Sequence, residues 1–496
     1  MDSIVKRFRL RICHIIDEGN FTKSWRVKLM LNKIMKSDRY DKAFVFVLIF
    51  FIVFQVIYFC FVQSHYPGIG FGSENYYSPL AENLVKHGEY SFGEIPDLKP
   101  SNYRPPLYSI ALAIIYSVFG VNEVWGLILN NILLSSLVFI VYKIGCIFSK
   151  KVGIFATIVF IVDPILLKTA NTNQSDMLFV FLLSLFVFFA IRVVNNGLSQ
   201  KIIVISSLML GLATFTRALG MYIWILTILT LLIVNWRKVN RLTLLKYITI
   251  FVFIQALFIG GWMFRNYHIT GNSAYAGMKS THLFSFYAPR IMGKVKNVDW
   301  LKVKAQMAAD IKKDEKYSSL LTETERFNYR MQIAKQIIID NWQYAILVVI
   351  DNIPQFFLSY PVDAMLVLYD QAKFEKISRF LNGPRSYNEK SIKAKINVFR
   401  TYFQNDVGLV MVHGIAIKGF YLIIAVCSFI GIGQMLLNSK YRPIGLFVCF
   451  LSIYLILVSC ISVQGRFRIP LMPFWSVSAA YCIHNLYNHL KKKSEY

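Results

Sequence analysis

Runs of apolar residues close to 20 long recur along the chain, beginning with FVFVLIFFIVFQVIYFCFV at residues 44–62. A bilayer hydrocarbon core takes about 20 helical residues to cross. Within lipid every backbone N–H and C=O must be paired inside the protein, which leaves helices and closed barrels. These blocks do not alternate polar and apolar residues as barrel strands do. The chain is therefore expected to be an all-α polytopic membrane protein. Composition agrees: charged residues make up 16% of the sequence, against about 25% in soluble domains.

The formal charge of +27 would suggest nucleic acid in a soluble chain. Here Lys and Arg mark cytoplasmic loops and membrane surfaces instead, and no nucleic-acid partner is expected. The seven cysteines form no CxxC pair and no Cys/His cluster, so neither a thiolate metal site nor a disulfide framework is indicated. More than 40 polar and basic residues precede the first apolar block, which is not the pattern of a signal peptide. Within them VKRFRLRICHII reads as a basic amphipathic helix for the inner leaflet. NFT at Asn20 and NQS at Asn173 are formal glycosylation sequons of a kind that arises often by chance.

Eleven Lys and Arg in the first 42 residues hold the start of the chain inside. A first span over about 44–63 then leaves 64–104 outside. The apolar segment 107–119 is short and lacks a basic cluster at its end. If it only dips into the outer leaflet, SKK (149–151), RVVNNGLSQK (192–201) and WRKVNR (236–241) all sort inside, while NTNQSD (171–176), Arg217 and FRNYH (264–268) sort outside. Residues 268–340 form a long polar segment with a charged helical part. The stretch 342–360, interrupted by Asp351, Asn352 and Pro354, reads as a span or an interfacial helix. Spans near 419–437, 443–463 and 469–488 close the chain, with QGRFRIP (464–470) outside.

This threading gathers Glu74, Arg104, Asp176, Arg217, Arg265 and Arg466 at the outer ends of spans. Each alone has a plain explanation: an arginine snorkelling to head groups, or an aspartate capping a helix. Several arginines on the face that positive-inside sorting should deplete point to an anionic ligand at the outer surface. Arginine matches phosphate with a planar fork. A nearby carboxylate can take a proton from an attacking hydroxyl or amine, and cations can stabilise a departing phosphate. Two acids, several arginines and tyrosines suited to sugar stacking, among them Tyr76 and Tyr77, fit glycosyl transfer from a polyprenyl phosphate.

Five segments carry a family likeness: SENYYSPLAENLVKHGEYSF with RPPLY, DPILLKTANTNQSDMLFVFLL, GLATFTRALGMYI, GGWMFRNYHITGN, and RFRIPLMPFWSVSAA. In order and spacing they resemble the GT-C glycosyltransferases, in particular the protein O-mannosyltransferases and the aminoarabinose transferases that modify lipid A. The resemblance implies a GT-C-type bundle of about 10–13 transmembrane helices with outer juxtamembrane helices, and a lipid monophosphate donor. It implies a catalytic base on the first outer loop. Tyr77 and Ala81 fit the spacing of the family pattern, but Ser73 stands where its acid often stands, so the base role passes to the neighbouring Glu74. Asp176 matches the acid after the third full span and takes an active-site role. Arg104 would face the same cavity, Arg217 and Arg265 are the expected phosphate ligands, and Arg466 and Arg468 serve as a gate or a second phosphate contact. Asp163 in VDPILL is expected to be a span-end residue.

The resulting expectation is an inverting glycosyltransferase at the outer face of a membrane, by default a bacterial inner membrane. It would take a polyprenyl-phosphate-linked sugar and an acceptor that is a lipid, a glycan or a protein. No cofactor is required; two acids sharing a divalent metal would be compatible, although no His-rich ligand set calls for one. The expected divisions are a basic arm (1–42), a catalytic module (43–290) with its outer loop (64–123), outer loops and helices (291–415), C-terminal spans (416–490) and a short tail (491–496). The rivals are a lipid-linked glycan flippase or transporter, and a ligase or polymerase using a diphosphate-linked glycan. The flippase is disfavoured by the absence of an inverted repeat.

Overall fold

The computed structural model describes residues 38–66, 76–196, 199–236, 239–320, 322–359, 407–461 and 465–494. The expected amphipathic arm helix, Glu74 and the basic segment 371–400 lie outside these residues. The described chain is helical throughout apart from a two-stranded hairpin, Ser91–Phe92 (β1) with Lys99–Pro100 (β2), paired antiparallel.

Helix α1 (Arg39–His65) is the first span, and only Phe44, Phe51, Gln55, Tyr58 and Val62 of it are buried. That spacing is one helical stripe; Phe46, Phe50 and Ile49 face outward, as a helix against lipid should. The short α2 (Tyr77–His87) and α3 (Leu107–Phe119) flank the hairpin. At 13 residues and 1.5 Å per residue, α3 reaches only about 20 Å and cannot cross a core of about 30 Å, in keeping with the expected dip.

Helix α4 (Val124–Gly145) crosses next. Its far end is pinned to α1: Tyr142 donates to Asp41 at 2.6 Å, and Lys150 bridges Asp38 and Asp41, each at 2.6 Å. Midway, Ser135 donates to the Gln55 side-chain oxygen Oε1 at 2.7 Å, a polar bond of the kind that joins helices within a bilayer. The chain returns through α5 (Lys150–Ile161) and α6 (Pro164–Ala170), which are bent by 65° at Asp163. Then follow α7 (Asp176–Asn196), α8 (Gln200–Thr216), α9 (Ile223–Asn235) and α10 (Arg241–Thr270).

The polar segment forms α11 (Met278–His282), α12 (Ala288–Lys296), α13 (Trp300–Lys313), α14 (Glu315–Ser319) and α15 (Glu323–Asp340), so its helical reading is borne out. A Thr322/Glu325 capping box starts α15. After it, α16 (Trp342–Leu358) turns by 95°. Helices α17 (Val407–Leu437), α18 (Arg442–Ser459) and α19 (Met472–Ser494), with a 3₁₀ turn over Gly465–Leu471, complete the bundle. Trp475 fills its centre, donating to Ser452 at 3.0 Å while its carbonyl accepts from Ser428 at 2.8 Å.

Among the described residues seven helices are long and apolar enough to cross a membrane, or nine if each bent pair is one span. The expected count of about 10–13 also included shorter or more polar crossings such as α8, which is apolar but 17 residues long, and α19, whose last turn is lysine-rich. The all-α polytopic architecture is as expected.

Candidate active site

The site is organised around the loop 171–175, between α6 and α7, which the first residues of α4 hold from below. Asn130 donates to the carbonyls of Thr172 (2.9 Å) and Gln174 (3.2 Å), and Asn131 to that of Ala170 (3.3 Å). Tyr108 of α3 donates to Asn173 at 3.0 Å. Gly126 lies so close under Asn173 that a Cβ has no room. The buried Asn173 is thus a structural strut, and its sequon has no exposed acceptor. A loop so fixed presents the residue that follows it, Asp176, with little freedom.

Asp176 opens α7 and is 3% exposed. Its carboxylate forms an ion pair with Arg217, at the end of the helix where the macrodipole favours an acid. Arg217 is available because α8 stops at Thr216: Arg217 itself is extended (φ −146°, ψ 134°). The chain then folds back so tightly that a Cβ on Gly220 would come within 2.9 Å of the Thr214 Cα. Tyr275 ties this turn down by donating to the Thr214 carbonyl at 2.9 Å.

Arg104 approaches from the other side. It is 6% exposed and its guanidinium lies over the rings of Tyr77 (5.2 Å), Tyr76 (5.4 Å) and Tyr103 (5.5 Å). Such stacking holds the cation without neutralising it. Arg104 Nη1 donates to Tyr77 Oη at 3.5 Å, and Tyr77 Oη is 2.7 Å from Ser175 Oγ. Tyr77 is therefore framework, linking Arg104 to the residue before Asp176, whereas Tyr76 keeps an exposed ring. From the C-terminal part, Arg466 donates to the side-chain carbonyl of Gln174.

One member of the group carried no sequence signal. His282, at the end of α11, is pushed down to about 4 by burial first, then by Arg104, Arg217 and Arg466. The imidazole is neutral at pH 7 and its three electrostatic partners show that these arginines converge. Helix α11 is moored over the site, Gly277 N–H donating to the Asn102 carbonyl at 2.9 Å and Met278 N–H to that of Tyr103 at 3.3 Å. A lone histidine in a polar loop has no periodicity or motif to reveal it; only the fold brings it to the arginines. Arg217 pairs with Asp176 while Arg466 and Arg104 reach the neighbouring Gln174 and Tyr77, a local excess of cations that favours an anion.

Arg265 and Arg468, by contrast, have structural partners. Arg265 donates to the Ser101 carbonyl (2.6 Å) and the Tyr90 carbonyl (3.5 Å) and stacks on Trp262 at 4.8 Å. It clamps the end of α10 to the residues flanking the β-hairpin, where the expected phosphate ligand has its donors on backbone carbonyls. The Tyr90 carbonyl also accepts from the Ser101 N–H at 3.0 Å, so Arg265 reinforces a contact that the backbone already makes. Arg468 is 1% exposed, stacks 3.4 Å over Tyr421 and donates to the carbonyls of Phe356 (3.3 Å) and Phe357 (3.0 Å). Asp163 is more than a span-end residue. It caps α6 through the Ile165 N–H (3.0 Å) and accepts from Tyr421 at 2.7 Å, fully buried. Among the described residues no three His, Cys, Asp or Glu side chains gather as a metal site.

Residues 103–262 match the family model described as dolichyl-phosphate-mannose-protein mannosyltransferase. This stretch contains Arg104, Asp176 and Arg217, and the likeness read from the motifs is borne out over it. Among solved structures, ArnT from Cupriavidus metallidurans bound to undecaprenyl phosphate is similar at 11% identity and a TM-score of 0.39, covering 87% of this chain and 77% of that one. The apo state of the same protein gives 11% identity and a TM-score of 0.38, covering 88% and 78%. No curated protein sequence matches the chain.

Proposed function

We propose that the chain transfers a sugar from a polyprenyl-phosphate donor to an acceptor hydroxyl or amine at the outer face of a membrane. The observation that carries this reading is the gathering of three arginines about one short loop: Arg217 pairs with Asp176, Arg466 donates to Gln174, and Arg104 donates to Tyr77, whose hydroxyl meets Ser175. They come from the hairpin loop, the end of α8 and the C-terminal 3₁₀ turn, which have no common local reason to meet. The catalytic module 43–290 contributes the first two and the C-terminal spans 416–490 the third.

In the proposed reaction the donor's phosphate lies among the three guanidinium groups, while the prenyl chain remains in the bilayer. Arg217 is shared between Asp176 and the phosphate, so Asp176 fixes the direction of its fork. As the bond between the anomeric carbon and the phosphate oxygen breaks, negative charge grows on that oxygen. The fixed cations meet it without reorganising, which is where they lower the barrier. Glu74, two residues before Tyr76 in the sequence, takes the proton of the acceptor, whose oxygen or nitrogen attacks the opposite face of the sugar and inverts it. The exposed ring of Tyr76 is suited to stack on the sugar. His282, neutral among the arginines, is a hydrogen-bonding group that does not compete for the phosphate as an acid would.

The test is transfer by the purified protein in lipid or detergent, with labelled sugars on polyprenyl monophosphate. Product from the monophosphate donor is the expected result, and Glu74→Gln should abolish it while leaving expression and folding intact. Consumption of a diphosphate-linked oligosaccharide instead, or translocation of a donor without bond cleavage, would overturn the reading in favour of a ligase or a flippase.

A further inference from the structure

The buried group formed by Asp163, Tyr421 and Arg468 has no part in the chemistry above, and it is an expensive thing to keep. Asp163 is fully buried, Tyr421 is 3% exposed and Arg468 1%. Removing both an acid and a guanidinium from water costs several kcal/mol per ion, and a packed apolar cluster of the same volume is commonly at least as stable. The hydrogen bonding is also incomplete: Asp163 Oδ2 and Arg468 Nε and Nη2 have no protein partner. The group is thus poorly explained as a source of stability, and its position suggests another purpose.

It lies where three distant parts of the chain meet. Asp163 is the break between α5 and α6, and the chain leaving α6 is the loop that carries Gln174, Ser175 and Asp176. Arg468 belongs to the 3₁₀ turn that carries Arg466. Its two donated bonds reach the carbonyls at the end of α16, and its stacked ring is on α17. At the start of the same turn Gly465 is wedged between Ile165 of α6 and Ser359: a Cβ there would come within 3.3 Å of Ile165 Cδ1 and 3.2 Å of Ser359 Cβ. Arg466 is therefore flanked on one side by a glycine pressed on α6 and on the other by an arginine held above Asp163.

We propose that Asp163, Tyr421 and Arg468 are positioning residues that set the 3₁₀ turn against the loop 171–175, so that Arg466 is aimed into the donor phosphate site. Asp163 fixes the break through the Ile165 N–H and orients the Tyr421 ring through its hydroxyl. That ring carries the Arg468 guanidinium, and Arg468 fixes the turn. The assignment rests on Arg466 being a phosphate ligand, and its test is built so that the two can fail separately.

The first measurement needs no activity. Gln174 and Arg466 touch, so a protein with Gln174→Cys and Arg466→Cys should be joined by a short bifunctional maleimide, with single-cysteine variants as controls. Adding Asp163→Asn, which keeps an oxygen for the Ile165 N–H and for Tyr421 but removes the charge, should lower the cross-linking rate severalfold. Tyr421→Phe, a milder change that preserves packing, should lower it in the same direction. An unchanged rate in both variants overturns the positioning role whatever the protein's activity. The second measurement is a double-mutant cycle on transfer from the monophosphate donor. Asp163→Asn should reduce kcat/KM about tenfold to hundredfold in the parent, as expected for a misaimed ligand, and by less than about twofold in Arg466→Ala, since interacting residues are not additive. Equal losses in both backgrounds overturn the inference. If Arg466→Ala leaves transfer unaffected, the phosphate assignment of Arg466 falls while the cross-linking result still decides the positioning.

Discussion

Two arginine–carboxylate groups lie near each other in the sequence yet differ in kind. Around Asp176, three arginines gather near one acid, the cations lie over tyrosine rings or hold one side-chain oxygen, and a neutral histidine stands among them. Around Asp163, one arginine and one acid are sealed together with a tyrosine, and the arginine's bonds go to backbone carbonyls. The first gathers more arginines than acids; the second has one of each, both fully buried. An arginine near an acid at the membrane surface is therefore not by itself a ligand site. What distinguishes the two is what the donated bonds reach: backbone carbonyls for Arg468, a carboxylate for Arg217 and a side-chain amide for Arg466.

The contrast predicts opposite effects on stability and activity. Arg468→Ala should destabilise the protein by about 3–5 kcal/mol, because it leaves Asp163 as an uncompensated buried charge; unfolding in detergent would measure this. Arg217→Ala should reduce transfer from the monophosphate donor about hundredfold to thousandfold, as expected for one lost donor to developing charge; in Arg217→Lys, which keeps a cation beside Asp176, the unfolding midpoint should move far less than in Arg468→Ala. A loss of stability at Arg217 as large as at Arg468 would erase the distinction between the groups.

His282 offers a finer probe of the open group. Its pKa in the folded protein is about 4, against 6.5 in the unfolded chain. Between these values the unfolded chain binds the proton and the folded protein does not, so stability is fully present above about pH 6.5 and falls as the pH drops toward 4. At pH 5 the expected loss is about 2 kcal/mol relative to pH 7. His282→Gln should flatten that part of the stability–pH curve, measured as unfolding midpoints at pH 7 and pH 5. Removing one of its arginines should flatten it partly, since burial is the larger cause. A wild-type curve with no loss between pH 6.5 and 5 would mean that His282 is not held neutral among cations.

The sequence made the membrane architecture legible because hydrophobic length is a direct physical requirement of the bilayer. It also singled out Arg217, Arg104 and Arg466, each an arginine on a face that positive-inside sorting depletes, and Asp176 beside them, and the fold brings Arg217 onto Asp176 and Arg466 onto Gln174. It could not separate Arg265 from them, because which donors are satisfied depends on the carbonyls of Tyr90 and Ser101, far away in the chain. His282 was invisible for the same reason. Tyr77 looked like a sugar platform but became a strut once its hydroxyl met Ser175. Polar residues between spans report a site's neighbourhood; only the tertiary bonds report which of them are free to bind.

Arg265 gives the smallest expected effect and the sharpest test of that rule. It has the same residue type and the same expected side of the membrane as Arg217, yet its fork is occupied by backbone carbonyls at 2.6 and 3.5 Å and its plane by Trp262. Arg265→Lys keeps the positive charge and loses the two-pronged geometry and much of the stacking. If charge at this position attracted the donor, the lysine would preserve it; if the residue is a clamp, the hairpin should loosen. The expected outcome is a destabilisation of about 1 kcal/mol, the usual worth of one net hydrogen bond, with the donor KM unchanged within about twofold. The matching change Arg217→Lys should raise donor KM or lower kcat with little effect on unfolding, because there the fork faces the ligand. A donor KM that rises in Arg265→Lys as far as in Arg217→Lys would return Arg265 to the phosphate site and show that its carbonyl bonds yield when the donor arrives.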